Sequence, residues 1–302
     1  MKILIPSDGS VNSIEAIRFV GERSKFMGAK PEVEIVNVQS AIPNSVVTRF
    51  GLEAVRTVYE AEGNAQLEAS VRTAEAAGLK PETGVLFGDC GPAIAREAET
   101  AKVDLIAMGS RGLSPVKSFF LGSVSRGVLE HANAPVLLVR EKGLPERENL
   151  RIALATDGSD YGDAAAAFIV SNPEFFGPHP EVFVLSVAPS ILTSAKNEID
   201  AVAPEASKKY FDKEKAKIWN EAVNPVLETL REAGLTAEAV RLDGDPGDEI
   251  ARWATANADI VVMGSHGYGR IKAAVLGSTA ARVGTQTELP ILVIRSEQTN
   301  VL

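Results

Sequence analysis

The chain has 302 residues, of which 45% are hydrophobic and 24% are charged, and its formal net charge is −9. This length favours two domains, and this composition is typical of globular proteins rather than of disordered chains. The net charge disfavours a nucleic-acid-binding surface, because that affinity comes largely from clustered lysine and arginine. No apolar run reaches the ~18 residues of a membrane helix, and the N-terminus lacks a signal-peptide pattern. With Cys90 as the single cysteine, no internal disulfide can form, and we expect a cytoplasmic protein with no membrane segment.

The first half of the chain predicts strands that alternate with helices. An apolar, β-branched run predicts a strand at residues 2–7. Further strands are predicted at residues 32–38, 82–87, 103–108 and 135–140. Ser10 or Asn12 can cap the first helix, and a long helix over about residues 52–77 is expected to end at Gly78. Two shorter helices are predicted near Pro92 and Ser123. This alternation predicts an α/β fold with a parallel sheet and helices on both of its faces.

The same order of elements restarts after residues 141–149, a charged segment with glycine and proline that we interpret as a linker. Residues 151–159 repeat the opening strand and its Asp-Gly-Ser turn, and residues 290–295 repeat the final strand. Between them lie a strand at 182–187 and a long helix over about 206–233. We therefore predict a duplicated domain, with a first domain at 1–140, a linker at 141–149 and a second domain at 150–302.

One glycine motif occurs in both halves. Gly109-Ser-Arg-Gly112 is followed after nine residues by Gly122-Ser123, and Gly264-Ser-His-Gly267 is followed after nine residues by Gly277-Ser278. Glycine lets the backbone approach a ligand, and a helix start offers unpaired N–H groups and the positive end of the helix dipole. The motif therefore favours a polyphosphate site. The alternative is that these glycines only end strands and begin helices, and the identical spacing in two diverged halves favours the ligand site.

Two aspartates, Asp8 and Asp157, follow the first strand of each half in Asp-Gly-Ser turns. In an open parallel sheet, ligands bind outside the carboxyl ends of the strands, near the point where the strand order reverses. Both the turns and the glycine loops follow strands, so the two features are expected at the same edge. The carboxylates could bind sugar hydroxyls or a metal. The alternative is that each aspartate only begins a turn and caps a helix.

These residues resemble the universal stress protein family in its tandem-domain form, over nearly all of both halves. In that family the glycine pattern marks the members that bind ATP. The resemblance implies two tandem five-stranded parallel-sheet domains, Rossmann-like and similar to the adenine nucleotide alpha-hydrolases. It also implies an ATP site without an obvious hydrolytic centre.

The resemblance assigns roles to particular residues. It implies that Asp8 contacts the ribose and adenosine side, that Val38 contacts adenine through its backbone, and that Met108 forms an apolar wall. The other residues implied for the first site, mostly around the phosphates, are Ser7, Gly109, Arg111, Gly112, Gly122, Ser123, Val124 and Ser125. The matching residues of the second site are Thr156, Asp157, Val187, Met263, Gly264, His266, Gly267, Gly277, Ser278 and Thr279.

The two halves depart from each other at two matching positions. His266 in the second half stands where the first half has Arg111, a permanent cation whose forked donors suit phosphate. Ser125 is replaced by Ala280, so the second site is expected to lose one contact to phosphate or metal. A lost neutral hydrogen bond is worth about 0.5–1.5 kcal/mol. We therefore expect two ATP sites, of which the first is tighter.

The leading functional prediction is a nucleotide-responsive regulator of the stress response, in which ATP occupies one or both clefts. One alternative is a slow ATPase or nucleotide hydrolase with Mg²⁺ or Mn²⁺ at the phosphates, and another is a protein-interaction scaffold with vestigial clefts. Neither glycine loop contains the Gly-Lys-Ser/Thr of a P-loop, and the three histidines are scattered, so no catalytic residue and no dedicated metal site are predicted. The retained glycines argue against a scaffold.

The final strands of the two halves, at 135–140 and 290–295, are short and apolar. An unpaired apolar edge invites another strand. We expect these two edges to pair antiparallel, so that the chain forms an internal pseudo-dimer, and homo-oligomers remain open as a further level of assembly.

Overall fold

A computed structural model describes residues 1–110, 121–140, 147–188, 204–265 and 276–295, and of residues 204–212 it describes the backbone alone. The described residues form two compact units. Unit 1 contains Met1–Glu148 together with the C-terminal strand that follows Glu288, and unit 2 contains Asn149–Thr287. Within these residues, no helix combines the length and the apolar character that crossing a membrane would require.

Unit 1 alternates strands and helices as predicted. Its elements are β1 (Lys2–Pro6), α1 (Val11–Ser24), β2 (Glu32–Gln39), α2 (Asn44–Phe50), α3 (Leu52–Ala76), β3 (Glu82–Phe87), α4 (Cys90–Thr100), β4 (Leu105–Gly109), α5 (Ser123–His131), β5 (Val136–Val139) and β10 (Ile291–Ile294).

The first five strands form a parallel sheet in the order β3-β2-β1-β4-β5. In the central strand β1, Ile3 lies opposite Val33 of β2 and Leu105 of β4. The side chains of Ile3, Leu4 and Ile5 are fully buried, as expected for a strand covered on both faces. The strand order reverses between β1 and β4, which places the expected ligand crevice at the carboxyl ends of these two strands.

The strand β10, the last one among the described residues, also belongs to unit 1. It pairs antiparallel with β5, so that Ile291 lies opposite Leu138 and Val293 opposite Val136. All residues of both strands are buried. The predicted antiparallel pairing of the two final strands is therefore confirmed, while the pseudo-dimer and the predicted domain boundaries, which assign this strand to the second domain, stay predictions.

Unit 2 repeats the same alternation. Its elements are β6 (Arg151–Ala155), α6 (Asp160–Ser171), α7 (Pro173–Phe176), β7 (Glu181–Ala188), α8 (Pro204–Glu232), β8 (Thr236–Asp243), α9 (Pro246–Asn257), β9 (Ile260–Gly264) and α10 (Ser278–Gln286). The strands form a parallel sheet in the order β9-β6-β7-β8. Each sequence repeat supplies five of the described strands. The predicted α/β fold of two tandem domains is therefore confirmed.

Local signals in the sequence set several helix ends. The side chain of Ser10 accepts a hydrogen bond from the backbone N–H of Ser13 and caps α1, which selects it over Asn12. The long helices α3 and α8 end just before Gly78 and Gly234, both at a φ of 78°. Glycine adopts this left-handed conformation without the steric cost that a Cβ atom brings. The predicted C-cap at Gly78 is therefore confirmed, and Gly234 has the same role after α8.

Candidate functional site

A cavity of about 250 Å³ lies in unit 1 at the carboxyl ends of β1, β2 and β4. This volume is near the lower end of the range for small-molecule sites. The described residues that the sequence predicts for the first site all line it: Ser7, Asp8, Val38, Met108, Gly109, Gly122, Ser123, Val124 and Ser125. Arg111 and Gly112 lie outside the described residues. The structure thus brings the aspartate turn and both described ends of the glycine motif to one cavity, and their roles in binding stay predictions.

The turn after β1 places Asp8 at the cavity. The preceding Ser7 is buried, and its hydroxyl lies 2.7 Å from Ser70 Oγ and 3.0 Å from Ser13 Oγ. Asp8 itself is exposed, and its Oδ1 accepts a hydrogen bond from the backbone N–H of Ser10 at 3.0 Å. A carboxylate has about four acceptor positions. Asp8 therefore shapes the turn, as the structural alternative predicts, and keeps the capacity to accept hydrogen bonds from a ligand.

Asn37, the residue before Val38, lines the cavity and connects neighbouring segments through hydrogen bonds. Asn37 is 2% exposed, and its Nδ2 donates to the carbonyl oxygen of Ser7 at 2.9 Å and to Gln66 Oε1 at 3.0 Å. Its Oδ1 accepts from Gln39 Nε2 at 2.7 Å. The sequence analysis did not predict this role of Asn37. The signal that could have indicated it is an asparagine among the apolar residues of a strand. The cavity-lining residues that it did not predict are Pro6, Ser13, Val36, Asn37, Gln66, Cys90 and Ile94.

Gly109 is required by packing as well as by the cavity. A Cβ atom at this position would lie 2.6 Å from Asn12 Cβ and 2.7 Å from the carbonyl carbon of Asn12. Contacts this short force a shift of one of the two segments. Gly109 therefore also has a structural role, because it lets the end of β4 pack against the start of α1.

Hydrogen bonds fix the start of α5 beside the end of β4. The backbone N–H of Gly122 donates to the carbonyl oxygen of Ser110 at 2.9 Å. The buried hydroxyl of Ser125 donates toward the carbonyl oxygens of Gly109 at 3.1 Å and Ser110 at 3.2 Å. The proton of this hydroxyl is thus engaged by the backbone, and Ser125 fixes the frame of the site.

The N-terminus of α5 faces the cavity without a side-chain cap. Its cap residue is Gly122, which offers no side chain, and Arg126 is the first residue whose N–H donates back to the Gly122 carbonyl, at 3.0 Å. The N–H groups of the first helical turn have no partner within the helix. With Ser123 and Val124 lining the cavity, this end of the helix can bind an anion through backbone N–H groups and the helix dipole.

The thiol of Cys90 lies at the start of α4 and lines the same cavity. Burial raises its pKa, and the negative charges of Asp89 and Asp8 raise it further. The thiol is therefore protonated at neutral pH, and thiolate chemistry is disfavoured there.

Unit 2 repeats the local geometry of the first site. Thr156 Oγ1 accepts from the N–H of Gly158 at 3.1 Å, and Asp157 Oδ1 accepts from the N–H of Ser159 at 3.1 Å. The N–H of Gly277 donates to the carbonyl oxygen of Ser265 at 2.7 Å. Of the other predicted residues, Met263 is buried, Ser278 is exposed, and Val187, Gly264, Gly277 and Thr279 are half-buried. His266 and Gly267 lie outside the described residues.

The second repeat differs from the first where α3 and α8 cover the sheet. When the helices are aligned on their C-cap glycines, Trp219 takes the place of Gly63, and Ala222 takes the place of Gln66. Strand register likewise places Ser186 where the first repeat has Asn37. The indole Nε1 of Trp219 is buried with no hydrogen-bond partner in the part of the chain that the structure describes. The second repeat thus lacks the Asn37–Gln66 pair.

No group of three or more histidine, cysteine, aspartate or glutamate side chains could hold a metal ion within the described ranges.

Comparison with known proteins relates both repeats to one family. The family model described as "Universal stress protein family" matches residues 1–140 and 148–295. A universal stress protein of Methanocaldococcus jannaschii is 34% identical over 148 residues, which are 49% of this chain and 84% of that protein. A universal stress protein of Mycolicibacterium smegmatis is 23% identical over 97% of this chain and 96% of its own length.

A solved structure supports the tandem architecture. The crystal structure of a universal stress protein from Archaeoglobus fulgidus superposes with a TM-score of 0.67 at 24% identity, and it covers 97% of this chain and 98% of that one. At this identity the likeness shows the fold alone. Together with the two family matches, which span most of the sequence, it leads to one conclusion: the chain belongs to the universal stress protein family, in its tandem-domain form.

Proposed function

We propose that this protein is a cytoplasmic, ATP-binding regulator of the stress response, and that the cavity of unit 1 is its tighter ATP site. The observation that carries the proposal is the convergence of an exposed carboxylate, Asp8, and an uncapped helix N-terminus, that of α5, on one cavity. A carboxylate accepts hydrogen bonds from ribose hydroxyls, and a helix N-terminus binds phosphate. A nucleotide presents both groups in one molecule.

The remaining cavity walls suit the base. Met108 and Ile94 supply apolar surface, and Val38 supplies backbone groups at the end of β2. In this arrangement adenine lies against these residues, the ribose contacts Asp8, and the phosphates lie at Gly122 and Ser123. Mg²⁺ or Mn²⁺ would accompany the phosphates. The second site, with Ala280 in place of Ser125 and without the Asn37–Gln66 pair, binds more weakly.

The titratable side chains of the cavity favour binding of ATP without efficient hydrolysis. The titratable side chains among the described cavity residues are Asp8 and Cys90, and the raised pKa of Cys90 keeps that thiol protonated. A general base for water attack needs a group that is unprotonated and within hydrogen-bond reach of the water. Asp8, engaged in the turn and assigned to the ribose, is poorly suited to that role, so ATP acts as a bound signal. Ligand control then depends on different affinities for two states of the protein or of its complex with a partner.

The experiment is a calorimetric titration of the full chain with ATP, ADP, AMP and cyclic AMP, together with thermal unfolding. We expect ATP to bind and to stabilise the fold by about 2.7 kcal/mol at a hundredfold excess over Kd. Asp8→Asn should weaken the tighter site about tenfold or more, since hydrogen bonds to charged groups contribute about 1.5–3 kcal/mol. Asp157→Asn is the matched control, because it makes the same change at the second site.

Three results would argue against the proposal. Absence of both heat and stabilisation with every nucleotide would remove ATP binding. Equal effects of Asp8→Asn and Asp157→Asn would remove the distinction between the sites. Steady release of ADP over many turnovers, measured with labelled ATP and Mg²⁺ or Mn²⁺, would favour the hydrolase instead.

A further inference from the structure

The C-terminal strand β10 is followed by Arg295, whose guanidinium caps a helix of unit 1. Its Nη1 donates to the carbonyl oxygens of Leu129 at 2.6 Å and Ala132 at 2.9 Å, with Glu130 at 3.3 Å. These carbonyls belong to the C-terminal end of α5, where the last groups of a helix have no partner within it. A cation at this end also complements the helix dipole. Arg295 has no carboxylate partner among the described residues, so its charge serves the helix end.

The opposite end of the same helix forms the cavity. α5 has nine residues and so is about 13 Å long at 1.5 Å per residue. A helix this short is unstable by itself in water, so its position depends on what holds it. Besides Arg295, the contacts include the bonds of Gly122 and Ser125 to the end of β4. A further contact is with α4, where a Cβ atom on Gly91 would lie 2.6 Å from Gly127 Cα.

We propose that Arg295 is a positioning residue for the ligand site of unit 1, and that binding of the ligand and docking of the C-terminal strand stabilise each other. The inference rests on the proposed function only in naming ATP as the ligand. Arg295 comes from the second sequence repeat, whereas α5 and the cavity come from the first. If docking of β10 strengthens ATP binding, ATP must strengthen docking of β10 by the same factor, since such coupling is reciprocal.

The experiment uses the full chain and three variants. Arg295→Ala removes the cap, Arg295→Lys keeps the charge without the forked donors, and Arg23→Ala is the matched control. Arg23 is buried in the same unit and donates to the carbonyl oxygens of Arg147 and Glu148, at 2.9 Å and 2.7 Å, rather than to α5. Calorimetry gives the Kd for ATP, and hydrogen exchange with mass spectrometry follows residues 123–126 and 291–294.

We expect Arg295→Ala to raise the Kd for ATP at least about fivefold, the lower end of typical coupling between two sites. Arg295→Lys should restore part of the affinity, and Arg23→Ala should leave the Kd within about twofold of wild type. In the wild-type protein, ATP should slow exchange at residues 291–294. Unchanged exchange there with ATP bound overturns the proposal even if Arg295→Ala fails to fold, and so does an equal loss of affinity in Arg295→Ala and Arg23→Ala.

A separate arm distinguishes failure of this proposal from failure of ATP binding. Without any nucleotide, Arg295→Ala or Arg295→Lys should speed exchange at residues 123–126 relative to both wild type and Arg23→Ala. If wild type binds no ATP but this difference appears, Arg295 still positions the site and only the proposed ligand is wrong. If the difference does not appear, the positioning role is overturned.

Discussion

A methyl group at position 109 should disturb the packing between the end of β4 and the start of α1, beside the cavity. In Gly109→Ala the new Cβ atom would lie 2.6 Å from Asn12 Cβ, 2.7 Å from its carbonyl carbon and 2.8 Å from its carbonyl oxygen. Favourable separations between carbon atoms begin near 3.5 Å, so the end of β4 and the start of α1 would have to move apart by about 0.9 Å. Two of the three contacted atoms are backbone, so no rotamer change relieves the clash. Overpacking of this kind costs about 1–3 kcal/mol, and we expect a loss of that size in the free energy of unfolding.

Gly84→Ala provides a matched control within the same sheet. There the new Cβ atom would lie 3.5 Å from Val36 Cγ1, an ordinary contact, and replacing a strand glycine by alanine should be neutral or stabilising by up to about 1 kcal/mol. Urea unfolding followed by circular dichroism compares the three proteins, and calorimetry compares their affinities for ATP. We expect Gly109→Ala to lose both stability and affinity. If it unfolds at the same urea concentration as wild type and Gly84→Ala, the packing argument for Gly109 is wrong.

Two further predictions concern ionisable groups of unit 1. Burial raises the pKa of Glu34 above its ordinary value of 4.5; the charges of Glu97 and Glu82 raise it further, and the charge of Lys2 lowers it. A carboxyl group whose pKa is higher in the folded state than in the unfolded state destabilises the fold once the pH exceeds the unfolded-state pKa. Glu34→Gln should therefore raise the free energy of unfolding at pH 7 by less than about 1 kcal/mol, because solvent screens the charge of this partly exposed group. No gain is expected below pH 4, and equal urea midpoints at pH 7 would contradict the prediction. Because burial raises the pKa of Cys90, iodoacetamide should modify this single cysteine more slowly than a free thiol at pH 7.5, and ATP should slow it further. Mass spectrometry measures the rate, and modification as fast as that of a free thiol, with and without ATP, would refute the expectation.

Much of the fold could be predicted because the signals are local. The apolar runs at residues 3–5 and 136–139 marked β1 and β5, and the glycines after α3 and α8 marked where those helices end. β8 was harder, since its residues alternate between exposed and half-buried and form no continuous apolar run. The short helix α2 has no buried residue. It therefore has no apolar periodicity from which it could be predicted.

The candidate site was predictable to the extent that topology determines it. The ends of β1 and β4 meet wherever the strand order reverses, and this alone brings Asp8 and Gly109 to one cavity. The hydrogen bond between Asn37 and Gln66 could not be predicted, because Gln66 lies 29 positions away in the sequence and on another element. The use of the Ser125 hydroxyl by backbone carbonyls likewise depends on a packing geometry that spacing does not encode.

The place of β10 in unit 1 bears on the order of events during synthesis on the ribosome. The apolar strand β5 emerges about 150 residues before its antiparallel neighbour, and at translation rates of about 5–20 residues per second that interval lasts roughly 8–30 s. During this interval the apolar strand β5 has an unpaired edge. That edge could pair with another nascent chain on the same mRNA. A chaperone that shields Val136–Val139 until β10 has been synthesised would prevent such mispairing, and a product that lacks Ile291–Ile294 should be prone to self-association.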